Sequence, residues 1–251
     1  MNASKHTAMW ENDEVKVDVP YSVAGVGTTV IVTSKFTGKI LLLDVGDGVI
    51  RDIMTTGTLD FVNEIDLIAI THGHFDHMGG LWTVLGFMRM LKRTRPLNIL
   101  IPNGCIEVDN VFRGFKECYS ETLPFQISIH KLQHGSGFDT DFFKLNAMGV
   151  EHYGMENASD RDVLMPALGY KVQIGQTSIA YTGDSRLCTS LEMLVEDATI
   201  AIIEATHDEH PDPEHRVHLT EAEAKELGAK AKEFILIHKK PNMGIGINTG
   251  R

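Results

Sequence analysis

The sequence predicts an α/β fold: two mixed β-sheets packed face to face and flanked by helices, a four-layer αβ/βα sandwich formed as a single domain over residues 1–251. Three observations lead there. Short β-like runs alternate with helical stretches along the chain. Both halves show this alternation without repeating sequence. No linker, low-complexity segment or solenoid repeat separates them. With 251 residues, 43% of them hydrophobic and 23% charged, the chain is long enough and apolar enough for a sizeable core.

In chain order, TTVIVTS (Thr28–Ser34) and KILLLDVGDG (Lys39–Gly48) are consecutive strand candidates joined by the turn FTG. EIDLIAIT (Glu64–Thr71) is a buried strand. Leu81, Val84, Leu85, Met88 and Leu91 recur at helical spacing, so GLWTVLGFMRMLKR is an amphipathic helix. On it Trp82, Phe87, Met88 and Met90 are read as core. LNILIPN is the next strand and IEVDNVFRGFKECY the next helix. FQISIHKL, FFKLNAMGVEH, LGYKVQIG, TSIAYTGDS and TIAIIEAT are strands of the second half. HLTEAEAKELGAKAKE is a helix with a capping box at Thr220 and Glu223, and FILIHKK is the final strand.

Composition excludes several classes. No apolar run reaches the roughly 18 to 20 residues that span a bilayer, and the N-terminal stretch lacks the basic start and apolar middle of a signal peptide. A cytoplasmic location is therefore expected. The three cysteines, Cys105, Cys118 and Cys188, are far apart and form no CxxC pair, which argues against a disulfide framework or a thiolate zinc site. A net charge of -11 works against a long nucleic acid as partner.

The stretch IAITHGHFDHMGG (Ile68–Gly80) carries the chemistry. It gathers His72, His74, Asp76 and His77 directly after an apolar strand. His72 and His74 are two apart, so they project to one side of an extended segment, while Asp76 and His77 follow a turn and can face a second point. The spacing suits two metal ions side by side, and imidazole with carboxylate suits zinc, with iron or manganese also compatible. Gly79 and Gly80 permit close backbone approach before the helix. Further ligand-type residues stand at later strand ends: His152 in GVEHYG, Asp184 in YTGDSR and His238 in LIHKK. His152 is preferred over His130 and His134 because it directly follows the run KLNAMGVE.

This HxHxDH pattern, followed in order by His152, Asp184 and His238, resembles the metallo-β-lactamase superfamily. The resemblance implies His72, His74 and His152 at a first metal, Asp76, His77 and His238 at a second, and Asp184 as the bridge. It implies hydrolysis by a hydroxide held between the ions. The later motifs YTGDSR, IIEAT, HLTEAEA and LIHKK are similar in order to ribonuclease Z and its phosphodiesterase relatives. That branch implies His218 at the scissile phosphate, supported by Glu204, which with Asp76 make up the catalytic set. The resemblance runs from about Lys39 to His238. The chain lacks a Gly- and Lys-rich insertion to serve as the tRNA-clamping arm, and between His152 and Asp184 one loop and two short strands are expected. A small phosphodiester or short nucleotide is therefore the expected substrate, with structured tRNA disfavoured and a homodimer compatible with the family. The alternatives are a carbon-ester, lactone, β-lactam or sulfate-ester hydrolase on the same metals, a tRNA 3′-processing endonuclease, and a non-catalytic metal-binding sensor.

Other residues carry weaker readings. Asp44, ending a strand, can orient a ligand histidine from behind or cap a turn. Lys239 and Lys240 follow a ligand and can hold an anionic substrate. His207, His210 and His215 fall in a Pro- and acid-rich stretch read as a solvated loop, with a third metal site as the alternative. KRTRP (Lys92–Pro96) is read as cations at a helix C-terminus rather than a phosphate site.

Overall fold

Alternation along the strands divides the apolar residues between three cores. Leu41 and Leu43 face one core while Leu42 between them faces another, and Leu67 and Ala69 are split from Ile68 in the same way. Ile200 and Ile202 join Leu41 and Leu43, while Ala201 and Ile203 face a third core. Side chains on one strand point alternately to opposite faces. A strand apolar on both faces therefore belongs to a sheet covered on both sides.

The computed structural model describes residues 8–54, 61–155, 162–209 and 217–241. The first sheet holds β1 (Ala8–Glu11), β2 (Val15–Val23), β3 (Gly27–Ser34), β4 (Ile40–Val45), β5 (Ile65–Ala69), β6 (Leu97–Pro102) and β7 (Ile127–Leu132), in that order. Its pairing is antiparallel from β1 to β4 and parallel from β4 to β7. Between its later strands come α1 (Val49–Met54), α2 (Phe61–Glu64), α3 (Phe75–Met78) and α4 (Leu81–Met90), and α5 (Ile106–Tyr119) follows β6. The second sheet is built from β8 (Gly137–Asp139), β9 (Lys144–Gly149), β12 (Leu168–Ile174), β13 (Thr177–Tyr181), β14 (Ile200–Glu204) and β15 (Glu233–Ile237), with spatial order β15-β14-β13-β12-β9-β8. It too is antiparallel at one side and parallel from β13 to β15. A separate hairpin pairs β10 (Tyr153–Met155) with β11 (Asp162–Leu164).

The two sheets close on the core shared by Leu41, Leu43, Leu67, Tyr170, Tyr181 and Ile202. The outer face of the first sheet is covered by α1, α4 and α5 through Val49, Leu81, Leu85, Val108 and Phe115. That of the second is covered by α6 (Thr189–Val195) and α7 (Glu221–Gly228) through Leu191, Leu194, Ala224 and Leu227. This is the expected four-layer sandwich with mixed sheets. The capping box of α7 forms as read: Thr220 Oγ1 accepts from Glu223 N, and the Glu223 carboxylate accepts from Thr220 N. No helix among the described residues is long and apolar enough to cross a membrane.

Several elements differ from the sequence reading. VKVDVPYSV forms β2, a strand that alternation at Val15, Val17 and Val19 supports and Pro20 obscures. Pro20 sits where the register with β3 shifts, between Asp18 and Tyr21, so its missing N–H removes no ladder hydrogen bond. The segment between His152 and Asp184 contains four strands, not two, because the β10–β11 hairpin precedes β12 and β13. Met90 is 61% exposed and Trp82 38% exposed, so neither is core; Trp82 lies edge-on to Phe115 at the rim of α4. Arg93 is neither a phosphate contact nor a cation facing solvent. It is buried and donates to the carbonyls of Val62, Arg95 and Pro96, fixing the turn after α4.

Candidate metal centre

The site forms where strand ends of the two sheets meet. Asp44 comes from β4 and the His72–His77 run follows β5. Asp184 follows β13, Glu204 ends β14 and His238 follows β15. Carboxyl ends of parallel strands are the usual place for such a crevice. Local backbone devices aim these side chains. In the β3–β4 ladder, Thr29 pairs with Val45 and Val30 with Leu43, leaving Asp44 as the extra residue of a bulge, at φ +60°. His238 has φ +56°, a conformation that costs a non-glycine residue on the order of 1 kcal/mol. Gly46 allows the loop to close: a Cβ there would stand 2.2 Å from the Asp76 carbonyl oxygen and 2.4 Å from Thr28 N.

Among the described residues three overlapping groups of donor atoms result, the third made of Asp184, His218 and His238 from the edges of the other two. In the first, His152 Nε2 is 3.0 Å from His74 Nδ1, and His72 and Asp184 complete the cluster. In the second, His238 Nε2 is 3.2 Å from both His77 Nε2 and Asp76 Oδ2. Asp184 Oδ2 stands between the groups, 3.8 Å from His72 Nε2 and 3.3 Å from His77 Nε2. Ligands about 2 Å from a tetrahedral ion lie about 3.3 Å from one another. The spacings therefore fit a cation in each group, with one carboxylate oxygen shared. A second observation agrees: His72 Nε2 is buried and has no hydrogen-bond partner, a costly state for a polar atom that a bound cation relieves. His130 and His134 are elsewhere, on Asn98 and on the Gly149 N–H respectively.

Two buried carboxylates stand behind the donors. Asp44 accepts from Thr71 N at 2.7 Å, from Tyr181 OH at 2.6 Å and from His77 Nδ1 at 2.7 Å, so it orients a candidate ligand rather than merely capping a turn. Glu204 accepts through Oε1 from His218 Nδ1, Ser185 N and Leu219 N, each at 3.1 Å. His218 Nδ1 is also 3.7 Å from Asp184 Oδ2, which places the His218–Glu204 pair against the shared carboxylate.

Burial and charge set the protonation states. Burial, reinforced by neighbouring imidazoles, drives His72 well below the usual histidine range, and burial pushes His152 down to about 3. Both stay neutral, the form that ligates. Burial opposes charge on His77 and His218 as well, but carboxylates win. Asp184 and Asp44 raise His77 well above its ordinary value, and Glu204 with Asp184 raise His218 to about 9. Burial works against ionising Asp76 too, yet the hydrogen bond from His238 and the charge of His77 hold it at about 2.

The weaker assignments separate here. Lys239 Nζ is 2.7 Å from Glu221 Oε2, so its charge is already paired, while Lys240 is exposed. His207 is not a solvated loop residue. It is half-buried, its backbone pairs with Thr220, and its ring centroid is 5.6 Å from that of His218. His210 and His215 lie outside the described residues. Thr71, Tyr181 and Thr206 were missed. Thr71 and Thr206 each stand within two residues of a site residue in sequence, but hydroxyl residues at strand ends are too common to single out.

A family profile described as the beta-lactamase superfamily domain matches residues 42–238. Ribonuclease Z of Thermococcus sibiricus is 27% identical over 246 residues, covering 82% of this chain and 79% of that protein. The metallo-beta-lactamase fold protein YhfI from Bacillus subtilis superposes with a TM-score of 0.71 at 18% identity, covering 92% of this chain and 88% of its own. The short form of human tRNase Z does so with a TM-score of 0.70 at 23% identity, covering 88% and 90%. The profile spans most of the chain and every residue of both donor groups, and on that ground this protein belongs to the beta-lactamase superfamily, as a metal-dependent hydrolase of the metallo-β-lactamase fold.

Proposed function

We propose that this chain is a dinuclear phosphodiesterase that cleaves small phosphodiesters or short nucleotides, working as one domain. The observation that carries the reading is the placement of the His218–Glu204 pair against Asp184, the carboxylate shared by both donor groups. Zinc suits the donor set, and iron or manganese is compatible. His72, His74 and His152 would hold one ion, Asp76, His77 and His238 the other, and Asp184 both. Such a pair of ions supplies Lewis acidity toward the ester oxygens and acidifies a water.

The chain's own groups do the rest. Glu204 engages His218 Nδ1, which leaves Nε2 to give a proton to the leaving oxygen. Asp76 stays ionised and also accepts from Gly25 N at 2.7 Å, which fixes its orientation. Similarity to a protein named ribonuclease Z supports phosphodiester chemistry over carbon-ester, lactam or sulfate-ester hydrolysis. A panel of bis-p-nitrophenyl phosphate, a lactone, a chromogenic β-lactam and an aryl sulfate, each with and without chelator, tests this. Chelator-sensitive turnover of the phosphodiester alone is expected. Turnover of another member in its place transfers the site to that chemistry, and retained metal with no turnover at all points to a binding protein.

That same similarity favours a second reading, tRNA 3′ processing, and charge weighs against it. Two cations near the site are already paired, Arg186 Nε with Glu151 at 2.6 Å and Lys239 with Glu221, while Lys240 is exposed. The net charge is -11. Few phosphate contacts mean a small counterion-release contribution and poor affinity at physiological salt. A gel-shift titration of precursor tRNA at about 150 mM salt should show weak, salt-sensitive binding. Submicromolar binding with cleavage at the 3′ end of the acceptor stem would establish the tRNA reading instead.

A further inference from the structure

Each of the two carboxylates behind the donors, Asp44 and Glu204, reaches two imidazoles, one directly and one through a threonine hydroxyl. Asp44 takes His77 Nδ1 directly; Thr71 Oγ1 lies 2.9 Å from Asp44 Oδ2 and 3.0 Å from His72 Nδ1. Glu204 takes His218 directly; Thr206 Oγ1 lies 2.7 Å from Glu204 Oε2 and 2.9 Å from His238 Nδ1. Both threonines are buried, so water cannot substitute.

Counting protons fixes the direction. A hydroxyl has one proton and a carboxylate has none. The hydroxyl must therefore donate to the carboxylate and accept from the imidazole. Thr206 has a rival acceptor in the His238 carbonyl at 2.9 Å, but the Glu204 oxygen is nearer and charged. Asp184 Oδ1 lies 3.3 Å from His238 Nδ1 yet makes no hydrogen bond. His72 therefore carries its proton on Nδ1 and presents an Nε2 lone pair to its donor group. His238 Nδ1 likewise donates to Thr206, while its Nε2 faces the Asp76 carboxylate at 3.2 Å and becomes a ligand once a cation replaces the proton there.

We infer that Thr71 and Thr206 are positioning residues that relay Asp44 to His72 and Glu204 to His238, each setting one imidazole tautomer in a different donor group. Thr71 serves the group of His72, His74 and His152. Thr206 serves that of Asp76, His77 and His238, and ties it to the carboxylate that holds His218. Loss of such a supporting partner typically costs roughly 10–100-fold in metal affinity.

The assignment rests on the dinuclear reading above, and two measurements keep the two apart. Long-range ¹H–¹⁵N spectra of the metal-free wild type are expected to show the Nδ1–H tautomer at His72 and a protonated Nδ1 at His238. Thr206→Val should lower protonation of Nδ1 at His238 only, and Thr71→Val at His72 only. Chelator-competition titrations with zinc should find two steps in the wild type. Thr206→Val should weaken one step and Thr71→Val the other, about 10–100-fold each. Thr206→Ser and Thr71→Ser, which keep the hydroxyl, should restore affinity and tautomer. Fewer than two zinc in the wild type would overturn the dinuclear reading and leave the relay to be judged on the tautomers. Two zinc in the wild type, with both affinities unchanged in the valine variants, would overturn the relay alone. If a valine variant does not fold, an unprotonated Nδ1 at His72 or His238 in the wild type overturns the relay at that residue.

Discussion

Asp184→Ala is expected to abolish phosphodiester turnover and to weaken zinc at both donor groups by at least about a hundredfold. The reason is geometric. One oxygen, Oδ2, stands 3.8 Å from His72 Nε2 and 3.3 Å from His77 Nε2, so its removal opens both groups. It also strips the buried His77 of a counter-charge. Ligands confined to one group should act differently: His152→Ala should spare the second ion and His238→Ala the first. Elemental analysis after dialysis reads the ion count, and bis-p-nitrophenyl phosphate reads the activity. Near wild-type turnover in Asp184→Ala would remove the bridge from the account.

His218→Ala should keep both ions and slow phosphodiester cleavage by roughly two to four orders of magnitude, the usual worth of general acid–base help. The pH profile identifies the cause. Glu204 and Asp184 raise His218 to about 9, so the protonated form persists through neutral pH. A group whose folded value lies above its ordinary 6.5 contributes stability that is full below that value and is lost as pH rises through about 9. In the metal-free protein, stability should therefore decline across that window, and less so in His218→Ala. Turnover should fall on the alkaline side as the proton is lost, with bound cations moving the midpoint downward. His218→Ala should lose that alkaline limb. Glu204→Gln should shift it to lower pH, because a neutral amide no longer favours the imidazolium. His207→Ala should cost much less, since His207 lies beside the ring of His218 and belongs to none of the donor groups among the described residues. Equal loss in both histidine variants would place His207 in the chemistry as well.

Legibility in the sequence followed the strength of local signals. Leu41–Leu43 and Ile200–Ile203 are apolar on both faces, and the structure splits them between cores. A run of that kind announces a doubly covered strand. Strands β1 and β8, the latter only Gly137–Asp139, are too short to carry a period, and β2 was hidden by Pro20. Short helices such as α1 and α6 depend on packing rather than propensity, so their own residues say little. In the site, His72, His74, Asp76 and His77 were legible because four polar, metal-preferring residues follow a buried strand. His152, Asp184 and His238 were legible only as strand-end residues in order, and the fold brings them to the cluster. Thr71, Tyr181 and Thr206 were not legible. Their role depends on which atom of a distant carboxylate they reach, and spacing along one chain does not encode that. Arg93 shows the converse: its sequence context suggested a surface cation, and three backbone carbonyls, one from α2 and two from the turn after α4, make it an interior clamp.

The central claim is that two ions, held by these two groups and joined through Asp184, cleave a phosphodiester. It is tested most directly by titrating zinc into the metal-free protein while following hydrolysis of bis-p-nitrophenyl phosphate. Turnover should remain low through the first equivalent, rise with the second and level off at two per chain. A plateau at one equivalent, or two ions bound with no hydrolysis, would contradict it.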